Sequence, residues 1–124
     1  MITLFHNVTH DLTPLEKDQL IPLLEKLLDH TNNKNRFSAK RIIAWYIGQG
    51  FPISKIRLCK MIAFLRISNA MAPNVIIGAS NGYYLTGDPQ IIQDQIDSLQ
   101  GRCDAMRCVI DSLQAQRLSL MKME

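Results

Sequence analysis

Acidic residues are absent from the whole middle of this 124-residue sequence. Between His30 and Gly87 there is no Asp or Glu, while Lys34, Arg36, Lys40, Arg41, Lys55, Arg57, Lys60 and Arg66 give that stretch a charge of +8. Residues 1–29 carry −3 and residues 88–124 carry −2, so the overall +3 hides a basic block between acidic flanks. Cysteine is scarce too. Cys59, Cys103 and Cys108 are odd in number, and none pairs at Cys-x2-Cys spacing, which excludes a disulfide framework and a zinc knuckle. No run of 18 apolar residues occurs, which excludes a spanning helix. The first residues, Met1 to His6, lack a charged region followed by a long apolar run, so a signal peptide is not expected and a reducing cytoplasm is.

The sequence is equally poor in catalytic signatures. It has no Gly-rich phosphate loop and no His-Glu-x-x-His. His6 and His10 stand one helical turn apart with no third ligand near them, so they read as a surface pair. Asp97, Asp104 and Asp111 recur every seven residues and make a solvated stripe, not a carboxylate pair. The expectation is no enzyme, no catalytic residue, no metal, no cofactor and no small-molecule substrate.

What is present is periodic. With 47% apolar and 20% charged residues the chain reads as a soluble globular domain with an extension. Residues 1–12 offer a short apolar start, either an extra strand or an arm. Thr13-Pro14-Leu15-Glu16 combines a cap, a first-turn proline and a capping-box acid, and predicts a helix over about 14–30. Leu20, Leu23, Leu24, Leu27 and Leu28 form its apolar stripe, and Pro22, which lacks a donor, predicts a kink or break. Residues 30–36 read as a polar loop. Ser38 and Ser54 cap helices over about 39–49 and 55–68. The stripes are Ile42, Ile43, Tyr46 and Ile47, then Leu58, Met61, Ile62 and Leu65, and Gly50 closes the first of the two helices. Two short helices joined through a glycine suggest a helix-turn-helix. Residues 74–86 then switch to β-branched and aromatic types around Asn81-Gly82, which predicts a hairpin with both turn positions at positive φ. The expected fold is therefore mainly α with a small β-hairpin: a winged helix-turn-helix over 1–87, with the hairpin as wing.

From Asp88 a heptad begins. Ile96, Cys103, Ile110 and Arg117 take the a positions, and Ile92, Leu99, Met106, Leu113 and Leu120 the d positions. That seam would be roughly 43 Å long at about 1.5 Å per residue. It cannot bury itself within one helix, so residues 88–124 are expected to form a coiled coil with a second copy. Two Cys103 thiols would meet in a parallel in-register pair.

The basic block suggests duplex DNA as partner. In a helix-turn-helix the second helix presents its first residues to the major groove, here Ser54, Lys55, Arg57 and Lys60. Lys40 and Arg41 open the preceding helix, placed to grip the backbone, and Ser80 and Asn81 stand at the wing tip. The opposing reading is a protein-interaction adaptor. The outer side of the third helix holds Ile56, Ala63 and Ile67 beside Lys60, flanked by Cys59 and Phe64, and Trp45 could join it. An exposed apolar strip marks a protein interface more often than a groove reader.

Ile53 to Ile62, Ala79-Ser80-Asn81-Gly82-Tyr83-Tyr84-Leu85 and the coiled coil together resemble small winged-helix proteins of phages and prophages, over about residues 12–115. The resemblance implies a winged-helix fold and DNA binding, with Arg57 and Lys60 as the matching basic positions, in a transcription regulator or accessory factor. Cys59, Ala63 and Phe64 depart from the polar or basic residues that such a family would place there.

Overall fold

The computed structural model describes residues 12–123. The apolar start and the His6/His10 pair lie outside the described residues. The chain divides into two units with the boundary between Asp88 and Pro89.

The first unit carries its helical segments up to Ser68, separated by irregular stretches, and ends in a hairpin. The capping box forms as predicted: the Thr13 amide donates to Glu16 Oε1 at 2.8 Å and the Glu16 amide to Thr13 Oγ1 at 3.2 Å. The helix expected over 14–30 is, however, two kinds of helix in series. Glu16–Leu20 is a π-helical turn, and α1 (Ile21–Leu28) follows. The Ile21 amide donates to the Glu16 carbonyl five residues back. Pro22 then falls in the first turn of α1, where a missing donor costs little. The interruption expected at the proline thus takes the form of a change of helical pitch just before it.

Helix α2 (Ala39–Gly48) and helix α3 (Lys55–Ser68) have the predicted serine caps, with Ser38 and Ser54 accepting from Arg41 and Arg57 amides. Gly50, at φ +88°, closes α2: its own amide donates to Ile47 and that of Phe51 to Tyr46. This double bond needs a left-handed residue between the two helices, which glycine supplies without a steric penalty.

Strands β1 (Val75–Ala79) and β2 (Gly82–Thr86) pair antiparallel, with Ala79 opposite Gly82 and Val75 opposite Thr86. The turn differs from the expected Asn81-Gly82. It consists of Ser80 and Asn81, neither at positive φ, and Gly82 is the first residue of β2 at φ +132°. The reason lies in residues 30–37, which are more than a polar loop. Phe37 exchanges both backbone hydrogen bonds with Tyr83 at 3.1 and 2.9 Å. A side chain at Gly82 would sit 2.6 Å from the Phe37 carbonyl carbon. The chain entering α2 therefore lies against the hairpin, and glycine is placed for that approach.

The core gathers Leu20, Leu24 and Leu28 from the first helical segment, Ile42 and Tyr46 from α2, Leu58, Met61 and Leu65 from α3, and Ile76 and Leu85 from the hairpin. Its buried polar groups are satisfied. The Tyr46 hydroxyl donates to the Leu20 carbonyl at 2.6 Å. Thr31 donates to Leu28 at 2.6 Å and accepts from the Leu85 amide at 3.0 Å, joining the end of α1 to β2.

The second unit is the helix α4 (Pro89–Lys122), in which no residue is buried. Ile96, Leu99, Cys103, Met106, Ile110, Leu113 and Leu120 are all exposed, and Ile92 is half-buried.

Candidate functional site

Two groups of basic residues emerge. The first is held inward. Glu16 lies one helical turn before Leu20 and two before Leu24, so it shares their buried stripe, and its side chain is only 2% exposed. Arg57 Nε meets its Oε2 at 2.9 Å, and Lys60 Nζ meets its Oε1 at 2.8 Å. Burial pushes the Glu16 carboxyl up. The Lys60 hydrogen bond, the Thr13 amide and the charges of Lys60 and Arg57 together outweigh it and hold the group below its ordinary value. One carboxylate between two cations leaves this cluster with a single net positive charge. The cations keep about a third of their surface, at 34% and 28%.

The second group faces outward where α2 begins and the hairpin turns. Arg36 is its centre. Its guanidinium lies 4.5 Å over the Tyr84 ring and donates to Asn81 Oδ1 at 2.6 Å, to the Asn33 carbonyl at 2.9 Å and to Asn33 Oδ1. Arg41 stacks 4.3 Å over Phe37 and reaches the Arg36 carbonyl at 3.4 Å. The two aromatic faces thus orient two guanidinium groups, that of Arg36 against Asn81 in the hairpin turn and that of Arg41 at the start of α2. Lys40, Arg41, Ser80 and Asn81 are exposed, as are Ser54 and Lys55 at the start of α3. The Ser54 hydroxyl is occupied in capping.

The residues singled out in the sequence are therefore sorted by the fold. Arg41 and Asn81 come together with Arg36, and Lys40 adjoins them in sequence. Arg57 and Lys60 come together on Glu16. Sequence reasoning missed Arg36, which it left in a loop, and missed Glu16 as a counter-ion while reading its capping role. The signal for Glu16 was its place on the leucine stripe.

The apolar strip proposed as a protein interface is divided as well. Trp45 and Phe64 are half-buried against the core, Trp45 edge-on to Tyr46 with ring centroids 5.2 Å apart. Ile56 is 84% exposed and Ile67 41%. Cys59 is exposed beside Tyr83. Burial raises the Tyr83 hydroxyl and Cys59 raises it further, while Arg66 opposes both.

Among the described residues no group of His, Cys, Asp and Glu could hold a metal ion, and no helix is long and apolar enough to cross a membrane. No family model, curated protein or solved structure matches the chain.

Proposed function

We propose that the first unit is a winged helix-turn-helix that binds duplex DNA without enzymatic activity, and that chains pair through α4. The hairpin following α2 and α3, tied back to Phe37, supports the winged arrangement. The observation that carries the DNA reading is the outward cluster: Arg36 and Arg41 sit on aromatic rings, Arg36 also holding Asn81, in a stretch with no acid of its own. Lys40, Arg41 and Lys55 contact phosphates, Ser80 and Asn81 add a contact from the wing, and Arg36 holds Asn81 in place. Arg57 and Lys60 contribute the one net charge left after Glu16, and Arg57 reads a base edge with what remains exposed. The resemblance to phage winged-helix proteins adds a role as a regulator or accessory factor of a phage-like element.

Binding to a random-sequence duplex at several salt concentrations tests this. Each phosphate contact steepens the logarithmic salt dependence by about 0.9. A slope of several units is expected, falling by about 2 to 3 in Lys40→Gln/Arg41→Gln/Lys55→Gln. Absence of binding at low salt overturns the reading. A second reading, an adaptor that binds protein and not DNA through α3, is carried by the exposed Ile56; there no duplex binding is seen at any salt concentration and Ile56→Glu abolishes the protein complex.

A further inference from the structure

The exposed seam of α4 leaves open which way round a second copy lies against it, and its charges answer that. Between Gln93 and Met123 the positions flanking the seam hold only two charged residues, Arg102 at g and Arg107 at e. They stand five residues apart, the separation at which a g residue meets the next e residue of a parallel partner. A parallel in-register pair would therefore oppose Arg102 to Arg107 twice, and would also face Arg117 with itself in the core. The acids cannot relieve this. Asp97 and Asp104 stand one position outside the e/g flanks and accept from Gln93 and Gln100 of their own helix at 2.9 Å. Asp111 lies 3.6 Å from Arg107, but both side chains are mostly exposed and their attraction is screened.

We infer that α4 pairs antiparallel with α4 of a second copy, in the register that sets Cys103 opposite Met106 of the partner subunit. In this register Ile96 faces Leu113, and Arg117 leaves its own twin for the level of Ile92, about one turn from Asp88 of the partner subunit. At the flanks Arg107 meets Gln100 and Arg102 meets Val109. Sliding the helices by one heptad in one direction sets Arg107 against Arg107, and in the other direction sets Arg102 against Arg102. Only the Cys103–Met106 register avoids both repulsions while burying nearly the whole seam. The two starts of α4 then lie at opposite ends of the pair, about 50 Å apart at about 1.5 Å per residue. The inference rests on the self-association in the proposed function and is independent of DNA binding.

The test uses full-length chains carrying Cys59→Ser and Cys108→Ser, so that Cys103 is the one thiol, and a companion in which Cys103→Ser is combined with Met106→Cys. Sedimentation across a dilution series is expected to show a monomer–dimer equilibrium for both. Under mild oxidation neither protein alone forms a disulfide-linked dimer, whereas their mixture does. A linked dimer from the Cys103 protein alone overturns the orientation in favour of a parallel pair. Failure of the mixture to link overturns the register, and a monomer at all concentrations overturns the pairing itself. DNA binding, measured separately, moves with none of these cross-links.

Discussion

At the scale of single residues, Glu16 carries the most consequence. It caps the first helix, sits in the core stripe and holds two cations, so its loss removes several interactions at once. Arg57→Met/Lys60→Met leaves its carboxylate buried without a counter-charge. The expected cost is about 3 kcal/mol in urea denaturation, the lower end for a broken buried pair, because both cations keep partial exposure to water. The pH dependence follows from the direction of the shift. The folded-state value lies below the ordinary 4.5, so the contribution is fully present above that pH and is lost as pH falls through the lowered value. Glu16→Gln should remove this part of the acid-induced loss of stability. An unchanged acid profile in Glu16→Gln would show that the ion pairs contribute nothing.

At the scale of elements, two glycines with the same composition have opposite roles. Gly82 stands at φ +132° against the Phe37 backbone, so Gly82→Ala brings both torsional strain and a collision with atoms that cannot rotate away. A loss of about 3 kcal/mol is expected. Gly101 sits within α4 with open space around it, on the side away from the seam. Gly101→Ala should stabilise that helix by about 1 kcal/mol and raise the far-UV helical signal at a given temperature. The hairpin is thus held by a close approach between distant segments, and within one chain α4 is held by local propensity. The turn from α2 to α3 belongs to the local kind, because Gly50 and the Ser54 cap lie within it and suffice to specify it.

At the scale of the whole molecule, the two units should respond differently to concentration. The sole tryptophan, Trp45, lies in α2 and reports only the first unit. Its fluorescence transition on heating should be independent of protein concentration. The circular dichroism signal should contain a further transition, from α4, whose midpoint rises with concentration because association stabilises only the folded helix. Coincident, concentration-independent transitions by both probes would mean that α4 does not unfold as an associating unit.

Much of this was present in the sequence because it depends on near neighbours. The ends of α2 and α3, the Thr13–Glu16 capping box, the stripes Leu58–Met61–Ile62–Leu65 and Leu20–Leu24–Leu28, and the heptad of α4 all follow from spacings within a few helical turns. The hairpin was legible as two β-prone runs around a turn. Its turn position was not, because Gly82 answers to Phe37, far away along the chain, and not to the needs of a two-residue loop. The π-helical turn was legible only as an expected disturbance at Pro22. The division of the basic block was decided by tertiary structure alone. Local pattern makes Arg36, Arg41, Arg57 and Lys60 equivalent cations. Packing α3 against the first helix gives Arg57 and Lys60 a buried carboxylate, and pairing Phe37 with Tyr83 sets Arg36 beside Asn81. Periodicity is a property of one segment and can be counted in it, whereas the partner of a charge is fixed by where a second segment comes to lie.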